Sequence, residues 1–329
     1  MGKSKVSVIV PIYNVATYVE RCVRSLFEQT LQEIEYIFVD DASPDDSISI
    51  VKRIMTEYPE RASHSRIVVH DENKGIPAAR NTGISIASGD FIVHCDSDDW
   101  VEKDMYEKLY NAAITNNSDY VVCDFYMELP NQQLKYSTVD SMIDKVELMK
   151  CYMTYGWNVL WNVLASRELY EKYDLRAYEG HSFCEDYGLS VRLLYYAQKY
   201  IRLSLPLYHY NRCNLSSIVS NANSSQSLAR NTESQIYIYN QINNFFRDNQ
   251  TYFELERELA WRMLSAKRGW LFIPEKWEKY RSVEPASNKY IWSNPLCSIK
   301  DKICQTLILS KWTAPLIKII KIVDAIVHK

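Results

Sequence analysis

Neither a GxxxxGK(S/T) loop nor a GxGxxG turn occurs in the 329 residues, which excludes a glycine loop as the cradle for phosphate. There is no CxxC pair and no Cys/His spacing of a zinc site. The eight cysteines (22, 95, 123, 151, 184, 213, 297 and 304) are scattered, which suits thiols in a reducing cytoplasm better than a disulfide framework. Six histidines are dispersed without a Ser-His-Asp or Cys-His arrangement, and His94, inside an apolar strand, reads as a core residue. A basic excess is also missing: the net charge is −3, so no series of cations is available for nucleic acid. Lysines interrupt every apolar run before membrane-spanning length. Lys3 and Lys5 lead straight into a strand, so no signal peptide is read there.

What remains is apolar and aromatic. With 47% hydrophobic residues the chain is ample for one large α/β domain or two smaller ones. The 25 Tyr and 8 Trp suit a core or interface, and aromatic platforms also favour sugar rings. Val6-Ser-Val-Ile-Val10, ended by Pro11, reads as a strand buried on both faces, followed by a helix at about 17–29 with Val19, Cys22, Val23, Leu26 and Phe27 as its stripe. Strands follow at 35–39, 66–70, 91–95 and 119–124, with helices between them opening at Ser43-Pro-Asp-Asp46 and Pro77. This alternation predicts a doubly wound, mostly parallel sheet. In such sheets the loops at the strands' carboxyl ends line the ligand crevice, so Pro11–Asn14, Asp40–Ser43, Asn73–Gly75 and Asp96–Asp99 are expected on one edge.

The last of these loops carries the chemistry. Gly89-Asp-Phe-Ile-Val-His-Cys-Asp-Ser-Asp-Asp-Trp100 runs a buried strand into Asp96, Asp98 and Asp99, carboxylates that repel one another unless a cation joins them. A hard divalent ion, Mg²⁺ or Mn²⁺, carrying a substrate diphosphate is the natural occupant. The plainer reading makes Asp99 and Glu102 a capping box for a helix at 101–115, which leaves Asp96 and Asp98 unexplained. Trp157 and Trp161 read either as a packed stripe or as a wall for a sugar ring. Glu185-Asp186 opens a helix at about 187–199, and the polar stretch 216–227 has the composition of a lid or linker. Helices are expected at 228–247 and 252–270. The segment 299–329 is a basic, tryptophan-bearing amphipathic helix, suited either to a membrane interface or to packing on protein.

In this order, Val8-Ile-Val-Pro-Ile-Tyr-Asn14, Val39-Asp-Asp-Ala-Ser43, Asn73-Lys-Gly75, Ala79-Arg-Asn81-Thr-Gly83, Asp96-Ser-Asp-Asp99 and Glu185-Asp186 resemble the motifs of family 2 glycosyltransferases of the bacterial surface-polysaccharide type. The resemblance spans about residues 5–215 and implies a GT-A fold. Residues 1–220 would form the catalytic domain, with a nucleotide-binding half at 1–125 and an acceptor-side half at 126–220. A helical extension with a basic amphipathic end would occupy 221–329.

Carried over by position, the resemblance implies that Pro11, Tyr13 and Asn14 flank the nucleotide base and that Asp41 accepts from the base imide, favouring UDP. Gly75 and Arg80 would lie at the nucleotide or diphosphate. Asp96 would begin a DxD motif, Asp98 would contact ribose or metal, and Asp99 the metal. Asp186 would be the general base of an inverting displacement, with a nucleoside diphosphate sugar as donor and a glycan or lipid-linked glycan as acceptor. Tyr208–Arg212 with Ser216 and Ser217 resembles the segment closing behind the site, and makes Arg212 a candidate phosphate contact. Where the family often has Trp-Asn-Lys-Leu, this chain has Val163 in place of the lysine. The expected enzyme is cytoplasmic, or peripheral on the inner face of the membrane. Two other readings are a sugar nucleotidyltransferase, for which Pro11–Val15 lacks the glycine-rich basic loop, and a non-catalytic sugar-nucleotide-binding subunit, which the intact acidic residues disfavour.

Overall fold

Every residue of strand β1 (Val6–Ile12) is buried, as a two-sided apolar run requires. Helix α1 (Val19–Phe27) follows and buries Val19, Cys22, Val23, Leu26 and Phe27, one stripe at helical spacing. Tyr18 at its N-cap offers no side-chain hydrogen bond, so this apolar face anchors the helix. Strand β2 (Ile34–Asp40) is equally buried, and helices α2 (Ser47–Glu57) and α3 (Pro59–Ala62) lead to β3 (Ser65–Val69). Helix α4 (Ile76–Ile86) returns the chain to β4 (Phe91–His94). A Cβ on Gly89 would lie 2.7 Å from the Ser7 backbone nitrogen, so only glycine allows β4 to enter this close to β1.

The computed structural model describes residues 4–142, 144–214 and 225–318, and the chain divides into units Met1–Ser220 and Asn221–Lys329. In the first unit the remaining elements are β5 (Trp100–Val101), α5 (Met105–Asn116), β6 (Tyr120–Leu129), β7 (Gln132–Tyr136), α6 (Lys145–Tyr155), β8 (Val163–Ser166), α7 (Arg167–Lys172), α8 (Glu185–Tyr196) and β9 (Tyr200–Asn211). The strand order is β3-β2-β1-β4-β8-β6-β9-β5, with β7 on β6. Pairing is parallel from β3 through β4 and between β6 and β9; β8 runs antiparallel to both its neighbours. The carboxyl ends of β1, β2, β3 and β4 therefore share one edge.

One local expectation is corrected and one open choice is settled. Trp100 and Val101 form a strand against His209 and Tyr208, and α5 begins only at Met105, so Asp99 caps no helix. Trp161 is 2% exposed and stacks on Tyr208 at 4.3 Å, which makes it a core residue and not a sugar wall. Trp157 is half-buried against Phe125 and Tyr136.

The second unit contains α9 (Ser225–Asp248), α10 (Tyr252–Ala266), α11 (Trp277–Ser282) and α12 (Ile299–Leu309). Ile242, Phe246, Met263, Leu264, Trp270, Tyr280 and Ile308 are buried in it. The expected continuous helix from 299 is interrupted: α12 stops at Leu309, Lys311 takes a left-handed φ of 60°, and a new turn starts at 314. The rest of that segment, 319–329, and the stretch 215–224 with Ser216 and Ser217 lie outside the described residues. Among the described residues no helix is long and apolar enough to cross a membrane.

Candidate active site

The site grows from the shared strand edge. Pro11 is buried within β1, while Tyr13, just beyond it, is 46% exposed. Asn14 adopts a left-handed φ of 54° and donates its N–H to Ser43 Oγ at 2.8 Å, which ties the loops after β1 and β2 together. Asp41 is buried and fastens the next loop: Oδ1 accepts from the Lys74 N–H at 2.8 Å, and Oδ2 from the Gly75 N–H at 2.7 Å. His70 Nδ1 stands 2.7 Å from the same Oδ1. Gly75 has a φ of +88°, and a Cβ there would lie 2.8 Å from Ser182 Oγ, so glycine serves both the backbone turn and the close approach of residues leading into α8.

Asp96, Asp98 and Asp99 follow β4, and the structure gives them different surroundings. Asp99 is 1% exposed; its Oδ1 accepts from the Asn211 N–H at 2.7 Å and its Oδ2 from Tyr208 Oη at 2.6 Å. The Tyr208 hydroxyl also accepts from the Asp96 N–H at 3.2 Å. Asp98 is half-buried, with Oδ2 accepting from Asn214 Nδ2 at 2.8 Å and its carbonyl from Asn211 Nδ2 at 3.0 Å. Burial, with the charge of Asp96 added, pushes the Asp98 carboxyl up to about 6. Burial together with Asp98 and Asp96 also drives Asp99 well above the ordinary carboxylate range.

Arg80 and Asp186 complete the cluster. The Arg80 side chain on α4 is 1% exposed, with Nη2 at 2.9 Å from Asp96 Oδ1, 3.2 Å from Asp186 Oδ1 and 3.8 Å from Glu185 Oε1. Asp186 sits in the first turn of α8 with its side chain 18% exposed. Burial pushes its carboxyl up to about 6, against the opposing pull of Arg80. Burial and Asp186 together raise Glu185 well above its usual range. His94 is buried and its pKa is driven well down by burial and by Arg80, so it is a neutral core residue. Val163 is buried in β8 opposite Val122, leaving no charge where the family often has lysine. Arg212 Nη1 donates to Tyr210 Oη at 3.1 Å.

Sequence reasoning named 208–212 as a segment closing behind the site but not the contacts it makes: Tyr208 and Asn211 of β9, with Asn214 just beyond it, clamp the acidic loop across more than a hundred positions. The one readable signal is the polar, aromatic alternation Tyr208-His-Tyr-Asn211 at a strand end. Among the described residues no group of three or more His, Cys, Asp or Glu is placed to hold a metal ion. The donor set suits an ion that takes one or two carboxylates from protein and the rest from phosphate and water: Asp98 is half-buried and the Asp96 side chain is 29% exposed.

Residues 7–172 match the family model described as Glycosyl transferase family 2. The chain is 34% identical over 245 residues to the uncharacterized glycosyltransferase EpsJ of Bacillus subtilis (strain 168), an alignment covering 71% of this chain and 70% of that protein. Among solved structures it is similar to S. aureus TarS 1-349 in complex with UDP-GlcNAc, at a TM-score of 0.70 and 18% identity, with 94% of this chain and 91% of that one covered. It is also similar to the mannosyltransferase PcManGT from Pyrobaculum calidifontis in complex with GDP-Man and Mn2+, at a TM-score of 0.55 and 16% identity, covering 98% and 84%. The architecture is GT-A, followed by C-terminal helices.

Proposed function

The chain belongs to glycosyl transferase family 2, and on that premise we propose that it moves one sugar from a nucleoside diphosphate sugar, a UDP-sugar, to a hydroxyl of a lipid-linked or growing surface polysaccharide, with inversion. One observation carries the reading: a partly exposed carboxylate, Asp186, with one oxygen held by Arg80, lies against the acidic loop at the sheet edge. Asp186 takes the proton from the acceptor hydroxyl while that oxygen bonds to the anomeric carbon. The bond from that carbon to the diphosphate oxygen breaks on the opposite face, and its electron pair leaves with the diphosphate.

Asp41, with Pro11, Tyr13, Asn14 and Gly75, would form the base and ribose side; Asp41 Oδ1 already meets Lys74 and His70, so an imide N–H would fall to Oδ2, which accepts from the Gly75 N–H alone. UDP-GlcNAc in the TarS crystal is in keeping with that choice. Asp98 would hold Mg²⁺ or Mn²⁺ with Asp96 beside it. The ion, when bound, neutralises charge on the leaving diphosphate. The Mn2+ in the mannosyltransferase crystal is in keeping with such an ion. The resemblance also implies Asp99 as a ligand, but its two protein donors make it the fastener between the acidic loop and β9 in this reading. The test is the anomeric configuration of the product from a UDP-sugar panel, read by proton NMR. Inversion is expected, and retention would overturn the single-displacement scheme.

The acceptor side of this reading includes a membrane surface. Ile299 is 71% and Trp312 66% exposed, Ile303 and Ile317 are exposed too, and Lys300, Lys302, Lys311 and Lys318 are interspersed along the sequence. Lys302 Nζ donates to the Trp292 carbonyl at 3.1 Å, which sets exposed Trp292 against α12. Exposed apolar residues interspersed with lysines suit anionic headgroups, at about 1 kcal/mol per lysine. The protein is expected to sediment with phosphatidylglycerol vesicles at low salt, and Trp292→Ala with Trp312→Ala to weaken this. Equal sedimentation with phosphatidylcholine alone, or none, contradicts it.

A further inference from the structure

We propose that Arg80 is a positioning residue that aims Asp186 at the acceptor hydroxyl, acting through that carboxylate and not as a ligand of the donor; this rests on Asp186 being the general base. The guanidinium has almost no accessible surface and already faces three carboxylates, those of Asp96, Asp186 and Glu185. Its Nε and Nη1 are also buried, without hydrogen-bond partners. Nη2, which makes all three contacts, cannot turn to a diphosphate without leaving those carboxylates uncompensated in a buried site, and Nε and Nη1 have no accessible surface through which a donor could reach them.

The same geometry organises Asp186. Its Oδ1 has no accessible surface and faces Arg80, so the exposed part of the side chain lies on its remaining atoms, of which Oδ2 is the only polar one. One oxygen is thus held while the other is left for the acceptor proton. Arg80 is rooted in α4, whose preceding loop is pinned by Asp41, whereas Asp186 begins α8. The guanidinium therefore registers the base against the donor-side loop through Asp96. Lysine preserves the charge, but its ammonium ends one bond short of the position of Nη2, the atom that meets all three carboxylates.

Three variants test this: Arg80→Lys, Arg80→Gln and Arg80→Lys combined with Asp186→Asn, each checked for folding by circular dichroism. Affinity for UDP with Mn²⁺ is read by calorimetry, and UDP release from UDP-GlcNAc at saturating donor gives turnover without an acceptor. Arg80→Lys is expected to slow release about 100-fold while UDP affinity stays within about threefold, and to add less than about threefold in the Asp186→Asn background. Arg80→Gln is expected to be slower still, so that lysine is a partial rescue. A tenfold or greater loss of UDP affinity in Arg80→Lys, or losses that simply multiply with Asp186→Asn, would overturn the proposal. A carbon-13 titration of Asp186 in nucleotide-free protein is independent of turnover. Its midpoint should rise by more than about one pH unit in Arg80→Gln, and an unmoved midpoint also overturns the proposal. Wild-type protein that neither binds nor releases UDP counts against the donor assignment instead, and leaves that titration to decide the role of Arg80.

Discussion

Asp186→Asn is expected to cut sugar transfer by about a thousandfold and to leave UDP affinity within about threefold of the parent. Asparagine keeps the shape of the side chain and can still meet Arg80 through its carbonyl, so the cluster is preserved while the proton acceptor is lost. The pH profile adds a second reading. The base works only when ionised, and burial raises its pKa to about 6 in the ligand-free protein. Transfer at saturating donor should therefore climb as pH rises through that value and level off above it, with the limb absent from whatever activity Asp186→Asn retains. Normal transfer by the variant would remove Asp186 from the role of base.

The second large effect separates two neighbouring aspartates. Asp99→Ala strips the acceptor from the Tyr208 hydroxyl and from the Asn211 N–H, both in a buried corner, and should cost about 2–4 kcal/mol in denaturant unfolding. Relief of repulsion from Asp98 and Asp96 offsets part of that loss, and Asp99→Asn, which keeps a carbonyl acceptor, should recover part of it. Asp98→Asn, by contrast, keeps an acceptor for Asn214 and should change stability by less than about 1 kcal/mol while abolishing the metal dependence of UDP binding. A stable Asp99→Ala protein that nonetheless loses metal dependence would return Asp99 to the ligand set that the family resemblance implies.

How much of this is legible in the sequence depends on the range of the interaction. Strands β1, β2 and β4 are readable because residues buried on both faces form continuous β-branched and aromatic runs, and α1 because its stripe repeats at helical spacing. The loop motifs are contiguous, so Asp41, Asp96, Asp98 and Asp186 stand out without a structure. Two-residue β5 carries no periodicity, and the reversal of β8 depends on pairing with β4 and β6. The capping-box pattern at Asp99 and Glu102 is real as chemistry, but the carboxylate finds better donors on β9, more than a hundred residues away. The surroundings of Arg80 are silent in the same manner: its motif at 79–83 suggests an anion contact, and only the fold brings Asp96, Asp186 and Glu185 to it. The break in the C-terminal amphipathic segment at Lys311 is equally silent, because lysine does not advertise a left-handed turn.

The most direct test of the nucleotide-pocket account is a calorimetric titration of the protein with UDP, first with Mn²⁺ present and then with EDTA. Binding in Mn²⁺ that falls at least about tenfold in EDTA, and that Asp98→Asn reduces to the EDTA level, is the expected result. UDP binding that is equally tight in both conditions, or absent from both, would contradict a cation-assisted diphosphate site at the acidic loop.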